Sequence, residues 1–206
     1  MIFNIGPHKV QCQDIMLGLS SLMLNDMADF AYSDPPWGQG NLKYWQTINK
    51  RHTGIEVNDI QYNDFLPRFF HILKTYVKDV AVIEYGKKWR DDIKFMVSFY
   101  GFKHHGCCES LYKSGSKLYP LDIHLISKSG DHCMTNDFIN GCYELRGLKL
   151  VKHAFEYYCP PNAKIVLDPM CGMGYTAQAA KDMGLIFRGN ELNQKRLNKT
   201  IERLKK

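Results

Sequence analysis

The stretch from Lys164 to Thr176, Lys-Ile-Val-Leu-Asp-Pro-Met-Cys-Gly-Met-Gly-Tyr-Thr, limits the fold more than any other part of the chain. The run Ile165 to Leu167 stops at Asp168. Gly172 and Gly174 turn the chain, and Thr176-Ala177-Gln178-Ala179-Ala180 opens a good helix. A strand, a glycine turn and a helix N-terminus in that order let a ligand approach the backbone closely. A further strand over 186–189 leads to Glu191, an acceptor placed for ribose hydroxyls. Glu191 follows Asp168 by 23 residues (191 − 168), close to the ~20 of dinucleotide-binding folds. The third glycine of the dinucleotide fingerprint is missing, which disfavours NAD and leaves another adenosine cofactor.

Residues 31–38, Ala-Tyr-Ser-Asp-Pro-Pro-Trp-Gly, carry the second constraint. Pro35 has no N–H and Pro36 stiffens the next step, so the apolar run must stop there. A carboxylate and a carbonyl are thereby fixed beside an indole. Such a site suits a planar group with an amino donor, held by stacking and hydrogen bonds, as in the exocyclic amine of a base.

The remaining pattern alternates short apolar strands with helical periods. Strands are predicted at about 8–12, 29–33, 79–84, 104–109, 121–127, 164–168 and 186–190, and helices at about 14–25, 60–76, 88–99, 145–158, 175–183 and 193–205. This alternation predicts an α/β fold with a single doubly wound, mostly parallel sheet. Ligands of such sheets bind outside the carboxyl ends of the strands, where Asp34, Asp168 and Glu191 all fall. Residues 38–59 read as a long polar, glycine-containing loop, of a length that is usually functional.

Taken together, these stretches resemble the amino-methyltransferases that use S-adenosylmethionine, especially the β-class DNA adenine-N6 enzymes, in which an Asp-Pro-Pro-aromatic motif precedes the cofactor loop. Gln13-Asp14 resembles the family's amino-terminal acidic element, and Arg188-Gly189-Asn190-Glu191-Leu192-Asn193 its ribose-binding strand end. His124-Leu125-Ile126-Ser127-Lys128 resembles a late strand that ends in an apolar-Ser-Lys sequence. The resemblance implies a methyltransferase-type, Rossmann-like fold in permuted order. It also implies catalysis at Asp34, Pro35, Pro36 and Trp37, and S-adenosylmethionine bound by Asp14, Asp168, Pro169, Cys171, Gly172, Gly174, Thr176 and Glu191. Asp at the first motif position and an aromatic at the fourth resemble the adenine enzymes, whereas cytosine-N4 relatives more often carry Ser first. Messenger-RNA adenine methyltransferases also use Asp-Pro-Pro-Trp, so RNA is the alternative polymer. A cofactor- or nucleic-acid-binding subunit without turnover is the alternative from another class.

The 17 residues from Lys128 to Glu144 fall where β-class enzymes carry their target-recognition region. A separate recognition domain does not fit, so one domain over 1–206 is expected. Recognition then falls to the 38–59 loop or to another subunit, with a homodimer or a separate recognition subunit as the partner.

The net charge of +6 is compatible with a polyanion, and Lys50, Arg51, Lys87, Lys88 and Arg90 flank the motif as candidate phosphate contacts. No apolar run approaches the ~20 residues that cross a bilayer, and Met1-Ile2-Phe3-Asn4 lacks the features of a signal peptide. Seven cysteines without a repeating frame fit reduced thiols in a soluble, cytoplasmic protein. Cys12 precedes a predicted helix without the proline of a cytosine-C5 nucleophile motif and reads as structural. His104-His105-Gly106-Cys107-Cys108 and His132-Cys133 have poor tetrahedral spacing and no CxxC, so no metal is expected.

Overall fold

The computed structural model describes residues 1–54, 59–114 and 116–206. Its strands are β1 (Ile2–Ile5), β2 (His8–Cys12), β3 (Ala28–Ser33), β4 (Val77–Gly86), β5 (Lys103–Ser114), β6 (Lys117–Ser127), β7 (Ile165–Asp168) and β8 (Ile186–Glu191). They form one eight-stranded sheet in the order β1-β2-β8-β7-β3-β4-β6-β5. The middle, β2-β8-β7-β3-β4, is parallel throughout, while β1 and the β6–β5 pair lie antiparallel at the two edges. The expected α/β doubly wound sheet is therefore what forms, with antiparallel edges.

The helices are α1 (Ser20–Met23), α2 (Gly38–Thr53), α3 (Tyr62–Tyr76), α4 (Arg90–Phe99), α5 (Asn136–Glu144), α6 (Leu148–Tyr158), α7 (Tyr175–Asp182) and α8 (Gln194–Lys205). Strands buried on both faces read as nearly unbroken apolar runs, and β4 is of this kind. Val80 and Val82 face one core together with Phe138, Val151, Ala177 and Leu197 from α5 to α8. Ala81, Ile83 and Tyr85 face the other, with Leu22, Leu42, Phe69 and Val97 from α1 to α4. The two cores are the two faces of the sheet, four helices on each. Among the described residues, no helix is long and apolar enough to cross a membrane.

Three expectations change. The helix expected over 14–25 is a 3-10 turn at Ile15–Leu17 followed by the one-turn α1, because Gly18 (φ 84°) and Leu24 (φ 50°) leave helical space. The loop expected over 38–59 is largely the helix α2, closed by Gly54 at φ 70°, whose N–H donates to the Lys50 carbonyl; residues 55–58 of that stretch lie outside the described residues. The segment 128–144 contains α5, and β1 was not predicted. α5 is capped by Thr135, whose hydroxyl accepts from the Phe138 N–H at 3.2 Å, an ordinary N-cap.

Candidate active site

A cleft enclosing about 960 Å³, part of it open to solvent, lies at the carboxyl ends of the parallel strands, where ligands of such sheets bind. Asp34, Pro35, Pro36 and Trp37 line it, together with Asp14 and Glu191, Leu42 and Trp45 of α2, Tyr112 of β5 and Arg196 of α8.

The Asp-Pro-Pro-Trp segment is fastened at several points. The Trp37 indole N–H donates to Asp34 Oδ1 at 3.0 Å, and the Trp37 backbone N–H donates to Asn41 Oδ1 at 3.3 Å in the first turn of α2. The buried Tyr85 hydroxyl donates to the Pro36 carbonyl at 2.9 Å. The Trp37 ring is half-buried and meets Tyr112 edge-on, with centroids 5.6 Å apart. Asp34 is therefore a carboxylate at the end of a buried strand, oriented by an indole.

A second carboxylate stands beside it. Glu84 of β4 is buried and accepts a 2.5 Å hydrogen bond from the Tyr32 hydroxyl. Burial raises its pKa to about 7 against the Tyr32 hydrogen bond, and Asp168 adds repulsion. Solvent reaches Asp34 through the cleft, yet protein surrounds its other sides. Burial first, then the Glu84 charge, pushes the Asp34 carboxyl well above the usual range, opposed by the Trp37 hydrogen bond. Like charges sharing a site behave in this way. Glu84 escaped the sequence reading, although a lone carboxylate ending the apolar run Val80-Ala81-Val82-Ile83 was a usable signal.

The loop after β7 is built differently from the expectation. Asp168 is buried and takes hydrogen bonds from the Ser33 hydroxyl at 2.9 Å, the Met170 N–H at 3.1 Å and the Thr176 hydroxyl. It ties β3 to the loop, and burial raises its pKa to about 6. The Thr176 side chain is thus turned inward. Gly174 has φ +80°, and a Cβ there would sit 2.7 Å from Thr200 Oγ1 and 2.8 Å from Thr200 Cα. Its lack of a side chain serves the close approach of α8. Gly172 offers its carbonyl to the Thr200 hydroxyl at 3.0 Å. Met170 of this loop lines the cleft, and Asp168, Pro169, Cys171, Gly172, Gly174 and Thr176 are buried beside it in the same loop and the start of α7.

Glu191 and Asp14 reach the cleft itself. The Glu191 carboxylate accepts from the Asn193 N–H at 2.8 Å, and burial raises its pKa. Asp14 caps the turn at Ile15–Leu17 through the Met16 N–H at 2.9 Å. Asn190 donates to the carbonyls of Gln13 and Pro169, at 3.1 and 3.2 Å, and its own Oδ1 is buried without a partner among the described residues. These acceptors suit a ligand carrying an amino group and hydroxyls, as an adenosine does.

The five candidate phosphate contacts separate into two kinds. Lys50 and Arg51 are exposed in the last turn of α2, and Lys88 is exposed with its ammonium 5.6 Å from the Trp89 ring centroid. Arg90 is bidentate to Asp122 at 2.6 and 2.7 Å, and Lys87 pairs with Glu109. Tyr112 and Arg196, both lining the cleft, were not singled out from the sequence. The Arg196 guanidinium lies 4.0 Å over the Trp45 ring and bridges α8 to α2, a contact that only the folded arrangement brings together.

No protein-family model matches the chain, and no curated protein matches its sequence. Solved structures do. M1.HpyAVI, crystallised as its complex with SAM, aligns with a TM-score of 0.69 at 16% identity over 95% of this chain and 98% of that chain. TTHA0409 from Thermus thermophilus, a candidate DNA modification methylase, gives 0.68 at 17% identity over 96% and 94%. The cytosine-N4-specific PvuII DNA methyltransferase gives 0.64 at 12% identity over 95% and 86%. At these identities the likeness is one of fold: the chain has the architecture of DNA methyltransferase structures.

We expect the raised Asp34 pKa to govern any reaction in which this carboxylate accepts a hydrogen bond from substrate. Below that pKa Asp34 is protonated, so kcat/KM falls with decreasing pH along a limb displaced upward from an ordinary aspartate. Glu84→Gln removes the neighbouring charge while Tyr32 keeps an acceptor, so the limb moves to lower pH. A pH–rate profile on the folded variant with an unmoved limb removes Glu84 as the cause.

Proposed function

We propose that this chain is a DNA amino-methyltransferase that transfers the methyl group of S-adenosylmethionine to the N6 amine of adenine. The observation that carries this reading is the cleft itself. It brings together the indole-oriented Asp34 and the acceptors Asp14 and Glu191, at the carboxyl edge of a sheet with the architecture of DNA methyltransferases.

S-adenosylmethionine, when bound, supplies a methyl carbon on a sulfonium: the N–C bond forms, the S–C bond breaks, and the electron pair goes to sulfur. Asp14 would accept from the adenine amine of that ligand and Glu191 from its ribose hydroxyls. The target base leaves the stack to enter the cleft. Its amine donates to Asp34, which fixes the direction of the nitrogen lone pair and offsets the positive charge that grows on nitrogen, so the contact strengthens toward the transition state. Trp37 offers an aromatic surface to the base and holds Asp34 in place. The proton shed by the methylated amine passes to Asp34, whose raised pKa suits it to take it, and then to water in the cleft.

The test is transfer of labelled methyl to duplex DNA, single-stranded DNA and RNA, with digestion to nucleosides. N6-methyldeoxyadenosine is the expected product. N4-methyldeoxycytidine overturns the choice of base, label confined to RNA overturns the choice of polymer, and cofactor binding without transfer to any polymer makes the chain a non-catalytic subunit. The affinity for DNA should fall steeply with salt, because each phosphate neutralised by Lys50, Arg51 or Lys88 releases counterions; a flat dependence argues against a nucleic-acid substrate.

Cofactor binding gives a separate expectation. By calorimetry Glu191→Ala should weaken S-adenosylmethionine at least tenfold with little change in melting temperature. Gly174→Val should lower affinity only together with stability, since its Cβ meets Thr200 and the left-handed backbone disfavours any side chain. Unchanged affinity in both moves the ligand elsewhere.

A further inference from the structure

Outside the cleft lining, the β5–β6 pair at the edge of the sheet gathers a group of metal-ligand side chains. Cys107 stands directly across from His124, and a register shift between His104 and Gly106 places His104 beside them. One ligand atom from each of His104, Cys107 and His124 lies within 4.8 Å of the other two, and His104 Nε2 is 3.1 Å from His124 Nδ1. We propose that His104, Cys107 and His124 bind a zinc-class divalent cation, with water in the fourth position.

The distances suit that ion. Zinc with nitrogen ligands at 2.0–2.1 Å has a tetrahedral edge of about 3.3 Å, close to the spacing of the two imidazole nitrogens. Two imidazoles and one thiolate are the donor set that zinc, cobalt and copper favour over magnesium or calcium. The linear spacing of these residues is poor for a metal, and cross-strand pairing supplies the missing geometry. His104 and Cys107 are half-buried, so an ion can enter and solvent can complete its shell. Cys107 is a free thiol, and binding releases its proton to water.

A second, independent observation is the far side of His124. This imidazole is fully buried, and its Nε2 has no hydrogen-bond partner among the described residues. The nitrogen faces the Asp122 carboxylate at 4.0 Å. Metal-bound histidines usually donate their second ring N–H to a carboxylate, carbonyl or water; at 4.0 Å Asp122 lies beyond a hydrogen bond and is the carboxylate that this nitrogen faces. The cations facing the group from α4 are Arg90, whose charge is matched by Asp122, and Lys94, which is exposed. His105 points to Ser127 instead, at 2.7 Å.

Titration of the purified chain with Co2+ tests the site. The expected result is one equivalent bound, with the visible bands of tetrahedral cobalt and a near-ultraviolet thiolate charge-transfer band, all displaced by Zn2+. Cys107→Ser should abolish the charge-transfer band, and His104→Ala should weaken zinc at least tenfold. Both positions are half-buried, so circular dichroism can verify that the variants fold. Cys133→Ser, which alters an exposed thiol elsewhere, should leave the bands intact. Zinc should also raise the melting temperature of the wild type and not of Cys107→Ser. Absence of binding, or a charge-transfer band that survives Cys107→Ser, overturns the site and leaves a plain His104–His124 hydrogen bond.

Discussion

Asp34→Ala is expected to reduce methyl transfer by about 10²–10³ or more, the scale on which loss of one preorganised group acts in a transition state. The substitution removes the acceptor that orients the substrate amine and offsets its developing charge. S-adenosylmethionine affinity should change little, because that ligand's adenosine is assigned to Asp14 and Glu191, which the substitution leaves in place. Stability should hold or rise, since the lost carboxylate is crowded by Glu84. Trp37 refines the experiment. From the sequence alone, Trp37→Phe retains the stacking face and much of the activity. In the structure the indole N–H also holds Asp34 Oδ1 at 3.0 Å, and a phenyl ring cannot. A hydrogen bond to a charged group is worth ~1.5–3 kcal/mol, so Trp37→Phe should lose about tenfold or more in kcat while base affinity stays closer to wild type. Labelled-methyl assays with a circular dichroism check decide both variants. Near-normal transfer by a folded Asp34→Ala protein would sink the mechanism.

The second large effect falls on stability. Arg90 donates two hydrogen bonds to Asp122, which is 0% exposed. Removing the partner of a buried charge costs about 3–5 kcal/mol, and the lower end applies because solvent reaches part of Arg90. For a chain of this size, about 3 kcal/mol is roughly 6–12 °C in melting temperature. Arg90→Ala should therefore melt well below wild type, and the Arg90→Ala, Asp122→Asn double variant should recover much of the loss, since no charge is then stranded. If Arg90 instead acts as a phosphate contact, Arg90→Ala keeps its melting temperature and loses only DNA affinity and salt slope. Denaturation and binding measured on the same preparations separate the two.

The parts of this molecule that could be read in advance are those where local chemistry forces the backbone. The prolines stop β3 beside Asp34, and the glycine turn after Asp168 leads into α7. The helices missed or misplaced are those whose local signals conflict with their environment. α2 opens with Gly38 and Gly40 and presents the polar Asn49 to the interior, so its sequence resembles a loop. Its burial becomes intelligible only when Asn193 of α8 donates to Asn49 Oδ1 at 3.3 Å. Residues 14–25 show the reverse: their composition favours helix, and Gly18 and Leu24 break it. In the cleft, the sequence pointed to Asp34, Trp37, Asp14 and Glu191, because each ends a strand or opens a turn. Glu84, Tyr85, Arg196 and the inward turn of Thr176 required the tertiary arrangement, since each is defined by a partner distant in sequence.

The strand order also dictates a sequence of events in time. β2 has β1 on one side and β8 on the other, so residues 2–12 have no hydrogen-bonded route into the sheet except through residues 186–191. Likewise β3 stays open along one side until β7 arrives. Pairings this distant along the chain close slowly. During synthesis the first strands wait, unpaired with the sheet, for the last strand to emerge. Amide protection of the β2–β8 pairing is thus expected to appear late in folding, and Asp14, just beyond β2, to take its place in the cleft with it.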